Sequence, residues 1–135
     1  YKELDDVYHS IALKLNLSDS AFTILYTLSE IGEGCSQKDI CSQASVSKKT
    51  INSAILKLEQ ENYIYMKHGK GRAMQIFLTP KGHRAVEEKI YPVIQIENNV
   101  FQKMEEQEAR QLLWLFRKYV VILRDEARSI LEETK

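Results

Sequence analysis

Apolar residues recur at intervals of three and four positions through most of the chain, which places them on one face of an α-helix. Polar capping residues or glycines separate these stretches. The pattern predicts six helices: one ending at Leu15, one from Ser18 to near Gly32, a short one from Ser36, one over 47–62, and two that begin at Thr79-Pro80 and near Glu105. Pro92 lies inside the fifth helix and predicts a kink there.

Between residues 63 and 79 the period changes to the alternation of β-strands. Strands are predicted over 63–67 and 73–79, because these segments are rich in aromatic and β-branched residues. Gly69 and Gly71 allow positive φ and predict a turn over 68–71. The predicted fold is mainly α with a small β-hairpin wing (α+β). A winged helix-turn-helix lobe spans 18–79, with a recognition helix over 47–62 and a wing over 63–79.

The helices at the two ends of the chain carry more apolar surface than one small core uses. The last helix is apolar over more than one face, and such a helix needs a second packing partner. A homodimer meets that need most simply. We therefore predict that 1–16 and 80–135 form a helical dimerisation region, and that 1–135 is a single domain.

The distribution of charge points to a polyanionic partner. The chain has 19 basic and 19 acidic residues, yet residues 36–72 hold seven basic and three acidic side chains, a net charge of +4. Charges are screened beyond about 8–10 Å, so a partner responds to this local surface rather than to the net charge. A basic cluster within a helix-turn-helix pattern favours nucleic acid as that partner.

The start of the fourth helix and the tip of the hairpin hold the side chains that suit DNA. A helix N-terminus fits the major groove, where amides and lysines reach base edges, and its free backbone amides suit phosphate. The candidate DNA-binding residues are Gln37, Lys38, Ser47, Lys48, Lys49, Thr50, Asn52, Ser53, Lys57, Lys67, His68, Lys70 and Arg72. Each also fits an ordinary solvated surface, and most protein–DNA contacts go to the backbone rather than to bases.

Several motifs, in this order, resemble the MarR-type transcriptional regulators. They are Gln37–Ile40, Val46–Thr50, Leu58–Ile64 and Leu78–Gly82, with further likeness from Leu17 to Leu28. The resemblance implies a homodimer, built from the terminal helices, that binds a pseudo-palindromic operator of double-stranded DNA and acts as a repressor. It also implies release of DNA by a small aromatic or anionic effector, as in many members of the family. A reduced, cytoplasmic setting is expected because the two cysteines, Cys35 and Cys41, do not form a CxxC pair.

Two positions depart from the family pattern. Ser45 stands where the turn often has glycine, and we expect a small conformational cost or a different turn shape there. Lys70 stands where an acid commonly precedes the wing arginine, which is Arg72 here. The resemblance therefore leaves the contact of Arg72 open, while Lys70 adds attraction for phosphate.

The main alternative is a winged-helix module that binds another protein and does not read DNA. Such a module would not need Lys48, Lys49, Lys70 and Arg72 on one face. Cys35 and Cys41 are expected to pack as small apolar residues rather than form a redox switch. Aromatic residues at helical spacing are expected to pack rather than line a ligand pocket.

No catalytic function is predicted. The chain has no phosphate loop, nucleophile elbow or acid–base pair at motif spacing. His9, His68 and His83 lack the spacing of metal ligands, so no metal or cofactor is expected. No stretch of about 18 apolar residues exists, so no membrane partner is expected either.

Overall fold

The computed structural model describes residues 1–69, 71 and 73–133. The elements are α1 (Lys2–Lys14), α2 (Asp19–Ile31), α3 (Gln37–Gln43), α4 (Lys48–Gln60), β1 (Ile64–His68), β2 (Met74–Leu78), α5 (Pro80–Ala85), a π-helical turn (Val86–Ile90), α6 (Tyr91–Lys103), α7 (Glu106–Glu126) and α8 (Arg128–Glu133). They form two compact units, Tyr1–Val93 and Ile94–Lys135. The predicted fold class, mainly α with one hairpin, is confirmed.

The first unit has a core between α2, α4, the hairpin and the π turn. Ile24 and Leu25 of α2, Ile51 of α4 and Ile76 of β2 are completely buried there. Burial of each such side chain stabilises the fold by roughly 1.5–3 kcal/mol. The apolar face that the helical pattern predicts for α2 and α4 therefore faces the core.

Side-chain caps start the helices of this unit. The Ser36 hydroxyl accepts a hydrogen bond from the Asp39 amide (3.1 Å), and the Asp39 carboxylate accepts one from the Ser36 amide (2.9 Å). This reciprocal capping box fixes the start of α3. Ser18 and Ser47 cap α2 and α4 by accepting from amides three residues further on. The starts predicted for these helices are confirmed.

The ends of the helices follow from residues that tolerate left-handed backbone. Gly32 has φ 93° after α2, and Asn62 has φ 65° two residues after the end of α4. Helix α4, predicted over 47–62, thus ends slightly before the predicted limit. Ser45, in the turn between α3 and α4, does not have a positive φ. The conformational cost expected at Ser45 therefore does not arise, because this turn takes a shape that serine adopts without strain.

The wing is a two-stranded antiparallel hairpin in which Ile64 pairs with Leu78 and His68 pairs with Met74. His68 therefore belongs to β1, and the connection spans 69–73 rather than the predicted 68–71. The sheet also has a contact that the sequence pattern did not predict. The Ile76 amide donates to the Cys35 carbonyl (2.9 Å), so the segment before α3 joins the free edge of β2.

The junction of the wing with α5 is closely packed. The Thr79 hydroxyl accepts from the Gly82 amide (3.0 Å) and donates to the Asn62 carbonyl (2.6 Å). A Cβ atom at Gly82 would lie 2.0 Å from the Tyr63 carbonyl oxygen, so this close approach requires glycine. The predicted start of the helix at Thr79-Pro80 is confirmed.

Pro92 is associated with a π turn. Because proline has no amide hydrogen, the carbonyl four residues earlier, that of Glu88, loses its helical partner. The π turn Val86–Ile90 lies directly before this position, and α6 continues as a regular helix beyond it. The irregularity that the sequence predicted as a kink takes the form of a π turn, which is one of the recognised causes of kinks.

The second unit comprises the remainder of α6 together with α7 and α8. The Glu105 amide donates to the Glu108 carboxylate (2.9 Å) at the start of α7. The structure ends α7 at Glu126 and begins α8 at Arg128, where the sequence predicted one helix. None of the residues of α7 is buried. Among the helices of the described residues, none has the length and apolar character that a membrane span requires.

Candidate nucleic-acid interface

The N-terminus of α4 is an exposed, positively charged surface. Lys48, Lys49 and Thr50 are all exposed, and no acidic residue occurs in the first turn. Within the described ranges, no carboxylate pairs with either lysine. Two cations at the positive end of a helix repel the helix dipole, so this end is stabilised when it meets an anion.

Two hydroxyl groups of this region are held by the helix itself. The Ser47 hydroxyl accepts from the Thr50 amide (3.2 Å) and donates to the Thr50 hydroxyl oxygen (2.9 Å). The Ser53 hydroxyl donates to the Lys49 carbonyl (3.2 Å), one turn earlier. Ser47 and Ser53 therefore have fixed orientations: the Ser47 hydroxyl makes two hydrogen bonds and the Ser53 hydroxyl makes one.

The outer side of α4 contains one residue that the sequence reasoning missed. Asn52 and Ser53 are exposed, as predicted, whereas Ile51 and Ile55 are buried. Leu56 is also exposed (58%) and lies four residues after Asn52, on the same side of the helix. Helical spacing would have found it. An exposed apolar side chain at this place suits the methyl group of thymine.

The structure joins α3 to α4 through two of the candidate residues. Gln37 is the first residue of α3 and is half-buried, while its neighbour Lys38 is exposed. The Gln37 Nε2 amide group donates a hydrogen bond to Asn52 Oδ1. These two residues are 15 positions apart, so only the turn between the helices brings them together.

Lys57 lies apart from the other candidates of α4. Nine residues separate it from Lys48, which corresponds to half a turn around a helix of about 3.6 residues per turn. Lys57 lines a cavity of about 350 Å³ with residues that include Ala21 of α2, Tyr63 of the segment before β1 and Lys81 of α5. The Lys81 ammonium there donates to the Glu61 carbonyl (2.8 Å). Lys57 is thus beside this cavity rather than with the N-terminal lysines.

The described candidates of the wing point to opposite faces of the hairpin. Tyr65 and Phe77 stack with ring centroids 5.5 Å apart, and the Lys67 ammonium lies 5.4 Å from the Phe77 centroid. This cation–π contact orients Lys67 on the outer face. His68, the next residue, alternates to the other face. The remaining predicted wing contacts, Lys70 and Arg72, lie outside the described residues.

Two pKa values near α3 are shifted. The hydrogen bonds from the Ser36 amide and hydroxyl lower the pKa of the Asp39 carboxyl, so it remains an anionic cap. Burial raises the pKa of the Cys35 thiol, with a smaller contribution from Asp39. Cys35 therefore stays a thiol at neutral pH, which is the poorly reactive form. Cys35 and Cys41 are both free and half-buried, as expected of packing residues.

The aromatic residues divide into two groups. Tyr8, Phe22 and Tyr26 pack in series, and the Phe22 centroid lies 6.4 Å and 5.9 Å from those of its two neighbours. In contrast, Trp114 and Tyr119 of α7 are more than half exposed, so the packing predicted for them is not made within the chain. No cluster of three potential metal ligands occurs in the described residues.

A capped recognition helix, a preceding short helix and an antiparallel wing define a winged helix-turn-helix protein. Residues 17–71 match the model of the MarR family. No curated protein matches the chain in sequence. The family resemblance inferred from the motifs is confirmed: residues 17–71 resemble the MarR family, and the fold is similar to that of solved MarR family regulators.

Solved structures support this assignment of the fold. NMB1585, a MarR family regulator from Neisseria meningitidis, is 19% identical with a TM-score of 0.80, covering 99% of this chain and 92% of its own. BpsR of Bordetella bronchiseptica, whose DNA binding is regulated by 6-hydroxynicotinic acid, is 22% identical with a TM-score of 0.67, covering 88% and 94%. A point mutant of MepR of S. aureus, bound to an oligodeoxyribonucleotide, is 21% identical with a TM-score of 0.55, covering 90% and 91%.

Proposed function

We propose that this protein is a cytoplasmic transcriptional regulator that binds a pseudo-palindromic operator as a homodimer and represses transcription. One observation carries the proposal: Lys48 and Lys49 are exposed, without acidic partners among the described residues, at the Ser47-capped end of α4. This end lies in a lobe that matches the MarR family. The role is recognition of DNA rather than catalysis.

In this proposal the candidates have different tasks. Lys48, Lys49 and Thr50 contact phosphates and base edges at the start of the recognition helix, and Asn52 contacts a base. Lys38, Ser47, Ser53, Lys57, Lys67 and His68 contact or flank the backbone, together with Lys70 and Arg72. Because most contacts go to phosphate, the lysines supply affinity more than sequence preference.

The homodimer is supported by the exposed apolar face of α7. Nine large apolar residues of this helix are 50–61% exposed, namely Leu112, Leu113, Trp114, Leu115, Phe116, Tyr119, Val121, Ile122 and Leu123. Monomeric proteins rarely expose so continuous an apolar surface. A second copy of the chain would cover it, and the two recognition helices would then meet half-sites about 34–36 Å apart, or a multiple of this.

We also propose release of DNA by a small aromatic or anionic effector. The DNA binding of BpsR is regulated by 6-hydroxynicotinic acid, which is a small aromatic acid. Such a ligand weakens DNA binding only if its affinity differs between the DNA-competent and incompetent states of the dimer. A thermal-shift screen with and without operator would find compounds with this property.

The decisive test is selection of bound DNA from a random pool, followed by affinity measurements at several salt concentrations. We expect a palindromic site. The single variants Lys48→Ala and Lys49→Ala should each lower the slope of log affinity against log salt by about two units, because each substitution removes one phosphate contact from each protomer of the dimer. Lys14→Ala, an exposed lysine of α1, is the control and should leave the slope unchanged.

Two results would contradict the proposal. If a Lys48→Ala/Lys49→Ala variant binds the operator with wild-type affinity and salt slope, the start of α4 is not the DNA interface. A wild-type protein that selects no sequence and does not bind DNA would favour the winged-helix module that binds another protein.

A further inference from the structure

The hydrogen bond between Gln37 and Asn52 restricts a side chain at the centre of the proposed interface. Asn52 is exposed and lies one turn after Lys48 and Lys49. Gln37, which belongs to the preceding helix, is half-buried and donates through Nε2 to Asn52 Oδ1. The direction in which the Asn52 amide faces is therefore set from outside its own helix.

This restriction matters because the oxygen and the nitrogen of a side-chain amide have nearly the same size and shape but opposite hydrogen-bonding roles. A half-turn about the last side-chain bond of asparagine exchanges its acceptor oxygen with its donor nitrogen, at almost the same positions. The major-groove edge of adenine is not symmetric, since it offers an acceptor at N7 and a donor at N6. An amide that rotates freely can present its oxygen and nitrogen to this edge, or to the edge of another base, in either of two orientations.

The bond from Gln37 keeps Oδ1 on the side of α3 and Nδ2 on the opposite side. Oδ1 has a second lone pair, so it can still accept from adenine N6 while Nδ2 donates to N7. In contrast, guanine presents two acceptors, so its O6 would face Oδ1 without a hydrogen between them. A fixed amide therefore favours adenine over guanine more than a free amide does.

We infer that Gln37 is a positioning residue that fixes the Asn52 amide, and that the pair makes Asn52 select adenine at one position of each half-site. This inference rests on the proposed function, because it requires α4 to enter the major groove. Gln37 acts through Asn52, so its loss changes base preference and leaves the electrostatic part of DNA binding unchanged.

The experiment compares the wild type with Gln37→Met, Asn52→Ala and the double variant. Methionine keeps the length of glutamine and removes the donor. Each protein is tested with the selected operator carrying each of the four bases at the adenine position. The control is Gln43→Met, since Gln43 lies on the same helix, is exposed, and makes no side-chain hydrogen bond within the described part of the chain.

We expect Asn52→Ala to reduce the preference for adenine by about 5- to 150-fold, the range for a bidentate base contact. Gln37→Met should reduce it by about 2- to 10-fold, the range for one hydrogen bond. Adding Gln37→Met to Asn52→Ala should change the preference by less than about 2-fold, because the two substitutions remove one shared interaction. The salt slope should stay the same in all variants, and Gln43→Met should behave as wild type.

A second measurement needs no DNA. In the free protein, the side-chain amide protons of Gln37 should exchange with solvent more slowly than those of Gln43. Asn52→Ala should remove this difference. Equal exchange rates in the wild type would overturn the inference.

The outcomes separate this inference from the proposed function. If Gln37→Met binds with wild-type base preference and a normal salt slope, Gln37 does not position Asn52, while the DNA-binding function stands. An additive effect of the two substitutions would also overturn it, since Gln37 would then contact DNA independently. If the wild type does not bind DNA, both proposals fail together.

Discussion

The two compact units of this chain differ in how far their apolar residues are buried. Every buried hydrophobic residue of the described chain lies between Ala12 and Val93. Beyond Val93 the described residues include no buried hydrophobic side chain, yet they hold 14 of the 22 exposed large hydrophobic residues. The helical periodicity is equally clear in both units. The periodicity therefore identifies the apolar face of a helix, but it does not show whether the same chain or a partner covers that face.

This difference has a consequence for stability. The core of the first unit is buried within the chain, so this part of its stability does not depend on protein concentration. In the proposed homodimer the apolar face of the second unit would be buried on association, so part of its stability would depend on protein concentration. The predictions below test that contrast, beginning with the largest expected effect.

The largest effect is expected from two charges on α7. Phe116→Glu together with Leu123→Glu places carboxylates seven residues apart on one side of this helix. Because each substitution removes roughly 1.5–3 kcal/mol of burial, the dimer should weaken by about 100-fold or more. Analytical ultracentrifugation would measure the association constant.

Gln111→Glu, an exposed polar position of α7, is the matched control and should leave the dimer intact. The near-ultraviolet signature of the first unit should persist in the double variant. A wild-type protein that is monomeric at high concentration would contradict the contrast between the two units, because another partner would then have to cover the apolar face of α7.

The second effect concerns the core of the first unit. Leu28 is 1% exposed, so Leu28→Ala should lower the free energy of unfolding by about 2–5 kcal/mol, from lost burial and the cavity left behind. Leu13→Ala removes the same atoms from a side chain that is 64% exposed, and should cost less than about 0.5 kcal/mol. Urea unfolding at two protein concentrations would measure both. Similar losses in the two variants would mean that the first unit does not depend on this core.

The smallest effect is the pH dependence of the α3 cap. The pKa of Asp39 is lowered in the folded protein, so its charge stabilises the fold above the ordinary carboxyl range and this stabilisation is lost as the pH falls. The difference in stability between wild type and Asp39→Asn should be full near neutral pH and should shrink between about pH 5 and pH 3.

Asp5→Asn is the control, since Asp5 is exposed and accepts no side-chain hydrogen bond from the described residues. Thermal unfolding across this pH range provides the measurement. A constant difference between wild type and Asp39→Asn down to about pH 3 would show that the charge of Asp39 does not support the cap.

The features that the sequence predicted well are local ones. Ser36 with Asp39, and Thr79 with Pro80, mark helix starts because each motif satisfies backbone amides within three residues. The net positive charge of residues 36–72 likewise follows from a count of their basic and acidic side chains. These signals do not depend on how distant segments meet.

The features that the sequence did not predict depend on contacts between residues far apart in the chain, or on the angle between two helices. The contact of Cys35 with Ile76 joins residues 41 positions apart, and no local pattern encodes it. The bond between Gln37 and Asn52 depends on the angle of the turn that contains Ser45.

The register of the wing limits how its length can change. Five residue pairs join β1 and β2, from Ile64 with Leu78 to His68 with Met74. Each pair adds about 3.3 Å, and successive pairs face opposite sides. Removal of one pair from within the hairpin would turn Lys67 from the outer face toward the core side. Removal of two pairs from the same place, or about 7 Å, would keep Lys67 on the outer face.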